Sequence, residues 1–151
     1  MTYEDEREKF DRFIFIMEDQ LEALEEKAES YGIHLTRELD SLEKLEHFFD
    51  EMTINLSKEE KNELSVTFGR YLGEIVRETF GGKWHLPLEN PKNINFNTPV
   101  IVGHTKIDGL EFPALSVMHA YSLRKKPGLL RKAVMSQIEP KAVDIDHLEE
   151  K

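Results

Sequence analysis

The sequence predicts an α+β fold in which three N-terminal amphipathic helices pack with a small antiparallel β-sheet and a C-terminal helix or helices. Three observations carry this expectation. Apolar residues recur at helical spacing as far as Phe80, the pair Gly81-Gly82 breaks the pattern, and short segments punctuated by Pro, Asn and Gly follow.

Between Phe10 and Tyr31 the apolar residues Phe10, Ile14, Met17, Leu21, Leu24, Ala28 and Tyr31 alternate in steps of four and three, like a coiled-coil seam. One long amphipathic helix accounts for them. Phe13 and Ile16 widen its stripe at the N-terminal end, as expected where more than one neighbour is met, and Gly32 ends it. A second helix starts at Asp40, with Glu43 three residues on and Leu42, Leu45, Phe49 and Met52 on the apolar face. The third begins at Ser57, where Ser-x-x-Glu60 is a capping box, and carries Leu64, Phe68, Tyr71, Leu72, Ile75, Val76 and Phe80 to the double glycine.

Lys83 to Leu88 then alternates as a strand, with Trp84, Leu86 and Leu88 on one side. Asn90 to Asn97 reads as a loop, and Pro99 to His104 as a second strand built on Val100, Ile101 and Val102. Asp108-Gly109 is a turn dipeptide that can return the chain as a short hairpin. From Pro113 onward Ala114, Leu115, Met118 and Leu123 suit a helix with proline in its first turn, although Leu115, Val117, His119 and Tyr121 also alternate as a strand would; we take the helix. Pro127-Gly128 introduces a last short helix through Ile138.

A chain of 151 residues is long enough to bury one core without disulfides or a structural metal, so a single domain is expected over residues 1–140, with a frayed tail over 141–151. The longest apolar run, Phe13 to Met17, is far too short to span a bilayer, and the charged start of the chain is no signal peptide; a cytoplasmic protein without a membrane partner is the expectation. The lack of cysteine excludes thiol chemistry and Cys-based metal centres. Charge is unevenly placed: residues 1–65 carry 20 acidic and 8 basic side chains, net −12, whereas the remainder has a net of +2. Such a surface repels phosphate backbones, so no nucleic-acid partner is expected, and it can attract a basic protein.

Gly69 and Gly73 lie four apart on the third helix, a spacing that fits close approach of another element and, alternatively, backbone access for a ligand. Glu74 and Glu78 share a face there, and Glu43 with Glu46 makes a Glu-x-x-Glu pair that can face Glu60 or Glu63. Converging helical carboxylates hold magnesium in all-α nucleotide pyrophosphohydrolases, although Arg70 and Arg77 can instead pair with Glu74. No metal or other cofactor is assigned. Of six histidines, His85 and His104 lie on candidate strands and can become neighbours across a sheet. Arg124, Lys125, Lys126, Arg131 and Lys132 form a basic cluster without interleaved aromatics, more readily read as helix-end cations than as a phosphate site.

The run from Phe68 to Trp84, with Tyr-Leu-Gly-Glu on a helix, then Gly-Gly-Lys-Trp, and later Asn97-Thr-Pro-Val100, resembles a pattern found in small bacterial domains of unknown function, some of them encoded near polymorphic toxins as immunity proteins. The resemblance covers residues 64–102. It implies a fold signature and assigns no catalytic residue. The leading functional expectation is a non-enzymatic protein-binding module of immunity type, acting through its acidic helical face or the loop Asn90 to Asn97, with a homodimer through the first helix also permitted. Glu74, Arg70, Arg77, Trp84, His85 and His104 are the candidate binding residues. The alternatives are a metal-dependent nucleotide phosphohydrolase using Glu43, Glu46, Glu74 and Glu78, and a small-molecule sensor holding its ligand between the third helix and the sheet.

Overall fold

The first apolar stripe folds as two helices, not one. In the computed structural model, which describes residues 2–138, helices α1 (Tyr3–Phe15) and α2 (Met17–Ser30) meet at Ile16, whose φ of −89° and ψ of 0° leave helical geometry. Ile16 closes one helix and opens the next, its N–H donating to the Arg12 carbonyl (3.1 Å) and its own carbonyl accepting from Gln20 N–H (3.0 Å). α1 also begins well before Phe10, because Thr2 and Asp5 form a reciprocal capping box ahead of an acidic first turn. Phe10, Phe13, Met17, Leu21, Leu24 and Ala28 are buried, while Ile14 and Tyr31 are exposed. The heptad-like seam therefore faces the chain's own core. The tail expected over 141–151 lies outside the described residues.

A 3₁₀ turn at Leu39–Ser41 leads into α3 (Leu42–Met52). Asp40 is not its cap: the Asp40 carboxylate accepts from the Thr36 hydroxyl (2.7 Å), and the Ser41 hydroxyl accepts from the Thr36 N–H (2.7 Å). Phe48 and Phe49 of α3 both meet Phe68 with ring centroids 5.1 Å apart, at the centre of the core.

That phenylalanine belongs to α4 (Lys58–Phe80), the longest element. Its Ser57–Glu60 capping box forms as expected, and Gly81, at φ +89°, stops it. The strands are shorter than expected: β1 (Lys83–His85) and β2 (Val100–Val102) pair antiparallel with Trp84 opposite Ile101. The Asp108-Gly109 turn returns the chain to a single bridge between Ile101 and Phe112, closed by hydrogen bonds of 3.0 and 2.8 Å, and adds no third strand.

Residues 114–124 form a helix, α5 (Ala114–Arg124), with Pro113 at its N-cap, and α6 (Leu129–Ile138) follows. α5 crosses α4 where α4 has no side chain. A Cβ at Gly69 would lie 2.6 Å from Leu115 Cδ2 and 2.9 Å from its Cα, and one at Gly73 would run into the Trp84 ring. The two glycines thus serve close packing. No helix among the described residues is long and apolar enough to cross a membrane.

Candidate binding site

Successive turns of α4 place Arg70, Glu74 and Arg77 along one side, and their side chains end in different situations. Glu74 is 4% exposed. Its carboxylate accepts from Arg77 Nε (2.7 Å) and Nη2 (2.9 Å) and from the Trp84 indole N–H (2.9 Å), which ties β1 to α4. Those bonds hold the Arg77 guanidinium above its ordinary pKa. Every oxygen of Glu74 is used by the protein itself.

The other carboxylates proposed for a metal are dispersed in the same way. Glu46 is buried and accepts from the backbone N–H groups of Gly128 and Leu130 (3.0 Å each), capping α6 from a distant helix. Glu43 forms a two-point pair with Arg131 (2.8 Å to both Nε and Nη2), which lowers the Glu43 carboxyl pKa. Neither meets Glu60, which is spent on its capping box, and Glu78 lies 3.8 Å from Arg37. Among the described residues no group of three His, Asp or Glu side chains converges as metal ligands.

The histidines do not come together. His85 pairs in register with Val100, whereas His104 lies past the other end of β2, beside Gly82. There His104 Nε2 is 2.7 Å from the Gln137 side-chain oxygen, while Gln137 Nε2 donates to the Glu111 carbonyl (2.8 Å). With its amide so oriented Gln137 can only accept, so His104 donates through Nε2 and buries an unpartnered Nδ1.

Arg70 does not pair with Glu74. Its guanidinium carbon lies 4.6 Å from the centroid of the Phe13 ring of α1, and its Nε is buried with no partner. Burial pushes its pKa down, and no carboxylate opposes that shift. An arginine cannot shed its proton under ordinary conditions, so a half-buried charge is held here against a ring face with no carboxylate beside it.

This cation lines an open cleft of about 330 Å³. Phe10, Phe13 and Ile16 supply one wall, Val66 and Leu115 the opposite one, and Leu86 and Pro99 close the end nearest the sheet. A bond from Asn97 Nδ2 to Glu6 (2.9 Å) fastens the loop to α1 at the rim. Lys9, Arg12 and Arg70 face the cleft against the one carboxylate of Glu6, the first two of them from the otherwise acidic first half of the chain. Apolar walls around a fixed cation match a small molecule with an anionic head and a hydrocarbon or aromatic body, and the volume stands near the small end of the ~300–1,000 Å³ usual for ligand pockets.

A larger depression beside Arg37 lacks this character. Arg37 is saturated by Glu18 (2.8 and 2.6 Å) and Glu25 (3.0 and 3.1 Å), and Glu25 also accepts from the buried Tyr71 hydroxyl (2.8 Å). Reasoning from sequence missed Lys9, Arg12 and the aromatic wall of α1. The available signal was that Lys9 and Arg12, three residues apart, flank Phe10 and Phe13 on one helix.

Comparison of the chain with protein-family models, with curated proteins and with solved structures finds no match.

Proposed function

We propose that the protein is a binding domain of the sensor type, holding a small amphiphilic anion in the cleft between α1, α4 and the chain leading into the sheet. The observation that carries this reading is Arg70, a half-buried guanidinium without a counter-ion. A carboxylate or phosphate entering the cleft would pair with the Nη groups of Arg70, the donors that are not buried, through charge-assisted bonds, while its apolar body covers Phe10, Phe13 and Leu115. Hydrolysis through Glu43, Glu46, Glu74 and Glu78 is disfavoured because each carboxylate already serves another group.

Thermal unfolding with a panel of alkyl and aryl carboxylates, the matching alkyl phosphates and the matching neutral amides tests the reading. Ligand at about 100 times its dissociation constant adds about 2.7 kcal/mol to the folded state. At least one anion is expected to raise the midpoint while its amide does not, and Arg70→Met is expected to abolish the rise. A panel without effect, or amides as effective as acids, would contradict the proposal.

A further inference from the structure

A second groove lies between α5 and α6, and its residues recur at helical spacing on both. Val117, Ala120 and Arg124 come from α5, Leu129, Lys132 and Ala133 from α6, and Lys126 stands in the turn between them. The groove measures about 410 Å³, with a half-buried aliphatic floor and a rim of Arg124, Lys126 and Lys132. No carboxylate lines it. None of the three cations has a side-chain partner among the described residues, in contrast to Arg131, which Glu43 engages.

The chain carries the complementary surface. On the outer side of α1, Phe15 is 86% exposed, and Glu8 and Asp11, seven and four residues before it, share its face and are exposed as well. Neither acid has a partner among the described residues. An exposed aromatic with two acids on the turns before it suits an aliphatic groove rimmed by bases, which is the helix-in-groove mode of recognition. At physiological salt the screening length is about 8 Å, so this local match outweighs the repulsion between two chains of net charge −10. A nucleic acid would need stacking or amide groups that the groove does not present.

We propose that the groove between α5 and α6 receives the outer face of α1 from a second copy of this chain, with Phe15 on the aliphatic floor and Glu8 and Asp11 against Lys126, Lys132 and Arg124. Because the two surfaces differ, the contact is head-to-tail and can continue into a ring or a filament.

Light scattering across a concentration series at physiological salt tests this. The wild-type mass is expected at least to double from the 17.7 kDa of one chain. Phe15→Ser, Asp11→Lys and Lys132→Glu, all at exposed positions, are each expected to give monomers with unchanged melting temperature, and the double variant Asp11→Lys/Lys132→Glu to recover association. Arg70→Met is expected to associate like the wild type, which separates this contact from the cleft. A wild-type monomer at every concentration, association undisturbed by Lys132→Glu, or a double variant as monomeric as the single ones would overturn the proposal.

Discussion

Arg70 and Arg77 stand two turns apart on α4 and illustrate opposite fates for a half-buried guanidinium. Arg77 grips a buried carboxylate at two points, and that carboxylate also holds the Trp84 indole, so the whole group is closed. Arg70 lies over a phenyl ring with an open cleft beside it. Chain composition does not distinguish them, since both are arginines within four residues of Glu74. The lesson is that a polar group completed inside the protein contributes to stability, whereas one left incomplete at a cleft is available for binding.

The comparison breaks most visibly at Gly73. Gly73→Leu forces a side chain into the Trp84 ring and should cost about 3 kcal/mol despite the better helix propensity of leucine, which calorimetric melting would register as a large downward shift. Val66→Leu, one turn before Arg70 at the mouth of the cleft, should stay within about 0.5 kcal/mol of wild type. Next in size is Glu74→Ala, which strands the Trp84 N–H and frees Arg77. A loss of about 2 kcal/mol in urea unfolding is expected, with near-ultraviolet circular dichroism reporting the altered environment of Trp84.

A smaller effect should appear in alkali. Burial raises the phenol pKa of Tyr71, whose hydroxyl donates to Glu25, and of Tyr121, whose hydroxyl donates to Asp50 (2.9 and 3.0 Å). An unfolded tyrosine ionises near ~10, whereas the folded ones keep their protons to higher pH. The stability linked to them is therefore complete below about pH 10 and falls as pH rises beyond it. Urea midpoints between pH 9 and 11 should decline, and the decline should be shallower in Tyr71→Phe and Tyr121→Phe.

Local signals in the sequence carried most of the fold. The Ser57–Glu60 box, the Gly81-Gly82 stop, the β-branched run of β2 and the Pro127-Gly128 entry to α6 depend on neighbours in the chain, and each appears where expected. The break at Ile16 was not legible because the apolar phase continues across it, from Phe13 through Met17 to Leu21. Long-range pairing was equally hidden. That Glu46 would cap α6 required knowing that α3 and α6 touch, and a glutamate among Leu42, Leu45 and Phe49 was the hint. The Tyr-Leu-Gly-Glu and Gly-Gly-Lys-Trp segments describe one packing unit, with Gly73 against Trp84 and Glu74 bonded to it. The choice Glu74 makes between Arg70 and Arg77 depends on side-chain direction, which spacing alone leaves open.

The most direct test of the account compares Arg70→Met with Arg77→Met in urea unfolding without any ligand. Arg77→Met leaves the buried Glu74 carboxylate with one donor and should lose about 2 kcal/mol, whereas Arg70→Met removes an unpaired, half-buried charge from beside Phe13 and should match the wild type within about 0.5 kcal/mol. Equal losses in the two variants would show that Arg70 is as much a part of the folded framework as Arg77, and would contradict the assignment of the cleft to a ligand.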